Sequence, residues 1–263
     1  MKCKRCNGKG SRFVTDRVVQ GQDYGPHTEG HDETCRACGG EGEVYPFDLN
    51  EQEAMTVLEC LEAVITNSHF VYTSWRHGSA YINKDAVYPH IKETSRLCRA
   101  IAQQFVNDSV EVVIAPAVGG VILSTWTAYH LPKLMGNGGE VFGVYADKAK
   151  TNGEDDFVIK RGYDKLVHNK KVLVVEDLLT TGGSVRKVVK AVRAIDGNVV
   201  GVGVLCNRGG VTPADLGDVP KLVALTNIKM DSWEEADCPL CKQGISINTS
   251  IGHGKAFLAR KQA

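Results

Sequence analysis

The chain has 263 residues, 43% of them apolar and 24% charged, enough for one substantial α/β domain plus a small appendage. Lys plus Arg and Asp plus Glu balance at 31 each, so global charge gives no sign of nucleic-acid or membrane binding and leaves only a local patch open; nucleic acid is not an expected partner. No apolar run approaches the roughly 20 residues of a membrane span. The start Met1-Lys2-Cys3-Lys4-Arg5-Cys6 lacks the apolar stretch of a signal peptide; a cytoplasmic location without membrane contact is expected.

Residues 1–45 are rich in Gly, Cys and charge and poor in aliphatics, so they need a staple rather than a core. Cys3-Lys4-Arg5-Cys6-Asn7-Gly8-Lys9-Gly10 and Cys35-Arg36-Ala37-Cys38-Gly39-Gly40-Glu41-Gly42 both read C-x-x-C-x-G-x-G. Two such knuckles supply four thiolates for one tetrahedral, structural Zn²⁺. The repeat resembles the zinc-binding repeats of DnaJ-type co-chaperones. Lys2, Lys4, Arg5, Lys9 and Arg12 make a local basic cluster, offset by Asp16, Glu29, Asp32 and Glu33.

Residues 46–263 read as one domain. Asn50 and Glu53 have the spacing of a capping box, and Val57, Leu58, Leu61, Val64 and Ile65 recur with helical period. Phe70 to Tyr72 and Ala80 to Ile82 read as short strands around a polar turn, Thr73 to Ser79. A helix follows Pro89 to about Phe105, with Ile91, Leu97, Ile101 and Ala102 on one face. Short apolar runs then alternate with helical segments: Val110 to Ala115, Val141 to Ala146, Lys171 to Val175, Val199 to Leu205 and Leu222 to Leu225. This pattern predicts an α/β fold with a doubly wound, mostly parallel sheet and the small N-terminal zinc-ribbon extension. Ligands in such sheets bind at the carboxyl ends of the strands, here the loops at 115–120, 176–184 and 206–210. The polar segment 147–162 reads as a long functional loop. Cys60, Cys98 and Cys206 lie in apolar-periodic segments and read as buried small hydrophobes.

One loop concentrates chemistry. After the run to Val175 come Glu176-Asp177-Leu178-Leu179-Thr180-Thr181-Gly182-Gly183-Ser184. Glycines let backbone N–H groups approach an anion, and a helix N-terminus favours phosphate. Two adjacent carboxylates suit sugar hydroxyls and a hard cation such as Mg²⁺. The Gly-Lys-Ser/Thr ending of a Walker loop is absent.

This loop resembles the phosphoribosyl diphosphate (PRPP) motif of the type I phosphoribosyltransferases, and over about 60–245 the chain looks closest to the orotate-specific members. The resemblance implies that Glu176 and Asp177 hold the ribose hydroxyls, and that Thr180, Thr181, Gly182, Gly183 and Ser184 cradle the 5′-phosphate. It also implies that Ala117, Gly119 and Gly120 bind diphosphate with Arg76. Ser74, Trp75 and Arg208 would meet the base, Arg208 offering its fork to a carboxylate. Segment 147–162 matches the family's catalytic hood, where a lysine reaches diphosphate; Lys150 fits best and Lys148 next, so the catalytic set is Lys150, Lys148 and Asp177. Three positions depart from the family pattern: Thr73 replaces its lysine, Trp75 its glycine and Asn152 its hood histidine. Mg²⁺ with PRPP, a nucleobase acceptor, a homodimer and a place in pyrimidine nucleotide synthesis are further implications. Two alternatives stay open: transfer to another base, or a PRPP-sensing regulator whose zinc ribbon contacts nucleic acid or protein.

Cys238-Pro239-Leu240-Cys241, in the tail at about 231–263, admits three readings: a structural turn, half of a metal site completed by His27, His31, His253 or another subunit, or a redox pair. His69, His90, His130 and His168 read as surface or packed residues, and His77, beside Arg76, as a residue that could face the site.

Overall fold

The computed structural model describes residues 11–21, 25–34, 49–72, 74–136, 139–151, 153–228 and 230–262. The chain divides into two units, Met1–Phe47 and Asp48–Ala263. In the first, β1 (Ser11–Gly21) and β2 (Gly25–Thr34) pair antiparallel, with Ser11 opposite Thr34 and Gly21 opposite Gly25. Cys3, Cys6, Cys35 and Cys38 lie outside the described residues.

The second unit begins with α1 (Glu51–Cys60). Its capping box is formed: Glu53 N–H donates to Asn50 Oδ1, and Asn50 N–H to the Glu53 carboxylate. The helical period of the sequence runs on to Ile65, but the helix stops early. Glu62 turns left-handed at φ 53°, and Val64–Ile65 becomes strand β3. Cys60 is exposed rather than buried, because it stands about 120° around the helix from Ala54, off the face of Ala54, Val57 and Leu58.

Next come β4 (Phe70–Val71), β5 (His77–Gly78) and β6 (Tyr81–Ile82). β4 pairs with β5, not with β6, which pairs with β3. A tight turn makes the difference: Trp75 N–H donates to Tyr72 O, and Tyr72 N–H to Arg76 O, each at 2.9 Å. Trp75 sits at φ 64°, a conformation glycine adopts far more readily than tryptophan. Helix α2 (Ile91–Gln103) buries Leu97, Ile101 and Ala102. Ile91 is 61% exposed, since it lies about 80° around the helix from Ile101.

The main sheet is built from β7 (Val112–Pro116), β8 (Phe142–Thr151), β9 (Glu154–Val158), β10 (Lys171–Leu179), β11 (Asn198–Asn207) and β12 (Leu222–Asn227). Their order is β12-β11-β10-β7-β8-β9, parallel throughout except that β9 runs antiparallel to β8. Strand period two divides the core between the two faces. Val113, Ala115, Leu173 and Val175 pack with Leu58, Leu97, Ile101 and, from α3 (Val121–Met135), Leu123 and Leu131. Val112, Ile114, Val172 and Val174 pack on the other face with Val167 of α4 (Tyr163–Val167) and with Val185, Val188 and Val192 of α5 (Gly183–Arg193). The segment expected as a long loop at 147–162 is largely a hairpin, β8 continuing to Thr151 and returning as β9. The sequence Asn152-Gly153 is a strong hairpin signal, and Gly153 has φ 83°.

The tail adds β13 (Ser232–Trp233), which pairs with β5, then α6 (Pro239–Lys242) and α7 (Gly254–Gln262).

Candidate active site

β7, β10 and β11 run parallel, so their carboxyl ends present the loops 116–120, 179–183 and 207–210 on one edge. β10 carries Glu176 and Asp177 near its end, both almost wholly buried. Three cavities share Leu178. The first, about 150 Å³, is walled by Glu176, Thr180, Thr181, Gly182, Gly183 and Ser184 at the N-terminus of α5. Gly182 at φ 72° makes that turn, and a Cβ there would fall 2.6 Å from the Leu216 side chain. The second, about 250 Å³, joins Ala117, Gly119, Lys148, Glu176, Asp177 and Ser184. The third, about 360 Å³, joins Tyr72, Ser74, Lys84, Thr180, Arg208 and His253.

Two groups that sequence reading missed govern the charge here. Lys84 Nζ donates to Asp177 Oδ2 at 3.1 Å, and Tyr88 Oη donates to the same oxygen at 2.5 Å. Burial works against charge on Lys84, but the Asp177 carboxylate outweighs it and holds the ammonium above its ordinary value. Burial, reinforced by Asp177, holds the Tyr88 hydroxyl protonated well above the ordinary phenol range. Burial and then the Asp177 charge push Glu176 up to about 8. Lys84 lines both the second and third cavities. Gly119 keeps its corner open: a Cβ there would lie 2.7 Å from Lys84 Nζ and 2.9 Å from Asp177 Oδ2.

Arg208 Nε donates to Thr180 Oγ1 at 3.0 Å, and its guanidinium stands 5.5 Å over the Tyr72 ring. Its N–H, like that of Gly209, donates to Leu179 O, which ties the loop after β11 to the end of β10.

The expected site residues thus fall into two groups. Glu176, Asp177, Thr180, Thr181, Gly182, Gly183, Ser184, Ala117, Gly119, Lys148, Ser74 and Arg208 line the three cavities, with Gly120 packed against Ala115 behind them. Lys150, Arg76 and Trp75 do not line them. Lys150 is exposed on β8 opposite Asp155. Arg76 binds Ser232 and Glu234, and Trp75 stacks near His253, Phe257 and Arg260. Thr73 and Asn152 lie outside the described residues. His77 is buried away from the cavities, beside the equally buried His69.

A buried acid pair, a glycine-rich turn feeding a helix, and cationic side chains around both suit a phosphorylated sugar. The family model described as the phosphoribosyl transferase domain matches residues 87–236. The chain belongs to the phosphoribosyltransferase family. An orotate phosphoribosyltransferase of Pelotomaculum thermopropionicum is 37% identical over 197 residues, spanning 75% of this chain and 95% of the relative. One from Desulforamulus reducens is 34% identical over 75% and 94%. Among solved structures, orotate phosphoribosyltransferase of Mycobacterium tuberculosis H37Rv in complex with Fe(III) dicitrate superposes with a TM-score of 0.51 at 18% identity. That match covers 66% of this chain and 95% of the other. A phosphoribosyltransferase from Corynebacterium diphtheriae gives 0.50 at 20% identity, over 67% and 95%. Both share its phosphoribosyltransferase fold. No helix among the described residues is long and apolar enough to cross a membrane.

Proposed function

We propose that this phosphoribosyltransferase moves the phosphoribosyl group of PRPP to orotate, forming orotidine 5′-phosphate and releasing diphosphate. The observation that carries the reading is the meeting of Arg208 with Thr180. The carboxylate-binding fork and the phosphate-binding turn touch directly, so acceptor and donor can lie side by side.

In this reading Glu176 and Asp177 accept the ribose hydroxyls, and Thr180 to Ser184 hold the 5′-phosphate at the start of α5. Backbone amides of 117–120 and Lys148 or Lys150 take the diphosphate, and Arg208 takes the orotate carboxylate over the Tyr72 ring. The bond from the anomeric carbon to diphosphate breaks, a bond to a ring nitrogen forms, and that nitrogen's proton leaves. No protein nucleophile is needed. Positive charge grows on the sugar beside the acid pair, and negative charge on the leaving group meets lysine and N–H donors. Oxygen donors at Glu176 and Asp177 fit Mg²⁺, which when bound with PRPP would offset the diphosphate charge. The hairpin of β8 and β9 is the hood that excludes water.

Incubation with PRPP, Mg²⁺ and a panel of bases tests this: orotate alone should release diphosphate rapidly. Turnover of a purine base and not orotate would refute the acceptor. The alternative of a regulator predicts PRPP binding without turnover of any base.

Cys3, Cys6, Cys35 and Cys38 hold one structural Zn²⁺. The support is a repeated knuckle sequence flanking a hairpin whose register pairs Ser11 with Thr34. The assembly is a homodimer, supported by the exposed apolar line of Ile122 and Tyr129 on α3 with Val118 before it. Equilibrium sedimentation at twice the chain mass is the expected result.

A further inference from the structure

Cys238 and Cys241 do not stand alone. The ligand atoms of His69, His77, Cys238 and Cys241 all lie within 4.8 Å of one another, and three of the four residues are buried. His253 is not part of this group; its histidines flank β4 and the turn that follows it, His69 just before β4 and His77 at the start of β5. Cys238 Sγ is 3.6 Å from His69 Nε2, and Cys241 Sγ is 3.8 Å from His69 Nε2 and 3.4 Å from His77 Nδ1. A tetrahedral Zn²⁺ with its usual Zn–S and Zn–N bonds would hold sulfur and nitrogen about 3.6 Å apart. The two imidazole nitrogens, 2.8 Å apart, would separate by about half an ångström around the ion.

The surroundings point the same way. His69 Nδ1 lies 2.7 Å from Ile245 O, which keeps the proton on Nδ1 and turns the Nε2 lone pair inward, as for a metal-bound histidine. Without a metal, His77 Nδ1 must donate to that lone pair. His77 Nε2 is then a bare acceptor, buried and with no hydrogen-bond partner, an arrangement proteins avoid. Coordination through Nδ1 makes Nε2 an N–H instead, and the neighbouring Phe257 ring stands at 82° to the imidazole with its centroid 4.9 Å away.

We propose that His69, His77, Cys238 and Cys241 form a closed, structural Zn²⁺ site that clamps the β4–β5 hairpin to the tail. Four protein ligands leave no open position, so the ion does no chemistry on substrate. Its effect is positional. The hairpin turn between the two histidines carries Tyr72 and Ser74, which line the cavity assigned above to the base. The tail already meets the hairpin through β13 on β5 and through Asn248 N–H on His69 O at 2.7 Å. The ion ties the remaining corner. This consequence rests on the base-pocket assignment; the metal site does not.

Metal content of the full chain tests it, with the N-terminal cysteines removed as a confounder. The Cys3→Ser/Cys6→Ser/Cys35→Ser/Cys38→Ser protein should retain one zinc per chain by native mass spectrometry. Replacement by Co²⁺ should give a thiolate charge-transfer band and tetrahedral d–d bands. Adding Cys238→Ser/Cys241→Ser should abolish both, and should raise the KM for the base about tenfold while PRPP binding stays within threefold. No metal in the four-serine protein, with or without a Cys238–Cys241 disulfide, would overturn the site. So would a zinc that survives loss of Cys238 and Cys241. A base KM unchanged by loss of the ion would overturn the clamp. Should the double variant fail to fold, the Co²⁺ spectrum of the four-serine protein still decides the ligand set.

Discussion

Lys84→Met keeps an apolar stem while deleting the ammonium shared by two cavities. Lys84 Nζ lies 3.1 Å from Asp177 Oδ2 and its side chain is 39% exposed. At that separation an effective dielectric of 20 gives roughly 5 kcal/mol of attraction, and water gives roughly 1. Partial exposure places the pair nearer the lower figure, and hydrogen bonds to charged groups contribute about 1.5–3 kcal/mol. About 2 kcal/mol is a consistent value, which is roughly a 30-fold loss in kcat/KM for PRPP. Steady-state kinetics with PRPP as the varied substrate measure it. Lys84 also favours the ionised form of Glu176, so loss of the cation should raise the pH at which Glu176 ionises and move the acid limb of the profile upward. A variant within threefold of wild type, with an unshifted acid limb, would refute the role given to Lys84.

Arg208→Lys keeps charge but loses the planar fork and the Nε bond to Thr180; the KM for orotate should rise about tenfold or more, read from initial rates at saturating PRPP. Glu176 sits at about 8, above the ordinary 4.5, so between those values the folded chain keeps a proton that the unfolded chain has lost. Stability of the free enzyme should therefore fall as pH rises from about 4.5 to about 8. Urea unfolding across that window should show the decline in wild type and its loss in Glu176→Gln. Lys148 lines the cavity beside Asp177 and Lys150 does not, so Lys148→Ala should lower kcat about tenfold, and by more than Lys150→Ala does; the reverse ranking would return the role to Lys150.

The turn from Glu176 to Ser184 is legible in sequence because its chemistry is contiguous: strand, acid pair, hydroxyls, glycines and helix follow one another within one loop. The alternating sheet and helices are legible for a similar reason, since burial on both faces leaves unbroken runs such as Val172 to Val175. What escapes is long-range. Lys84 reaches Asp177 across 93 positions, and His69 meets Cys238 across 169; no local period encodes either meeting. Periodicity also misleads where a single residue changes direction. Glu62 at φ 53° ends α1 before Val64 and Ile65, and the pairing of Thr151 with Glu154, beside Gly153 at φ 83°, makes the expected loop a hairpin. Trp75, by contrast, stands where the resemblance expects glycine and takes a left-handed backbone, its ring 6.4 Å from that of Phe257 on α7.

Every role proposed for the site requires that Glu176 to Ser184 hold PRPP. Titration of PRPP with Mg²⁺ into wild type and Asp177→Asn by calorimetry, paired with diphosphate release in the presence of orotate, tests it directly. Asp177→Asn should lose most PRPP turnover and bind PRPP at least tenfold more weakly, by the value of a charged hydrogen bond. Affinity and rate equal to wild type in that variant would contradict it.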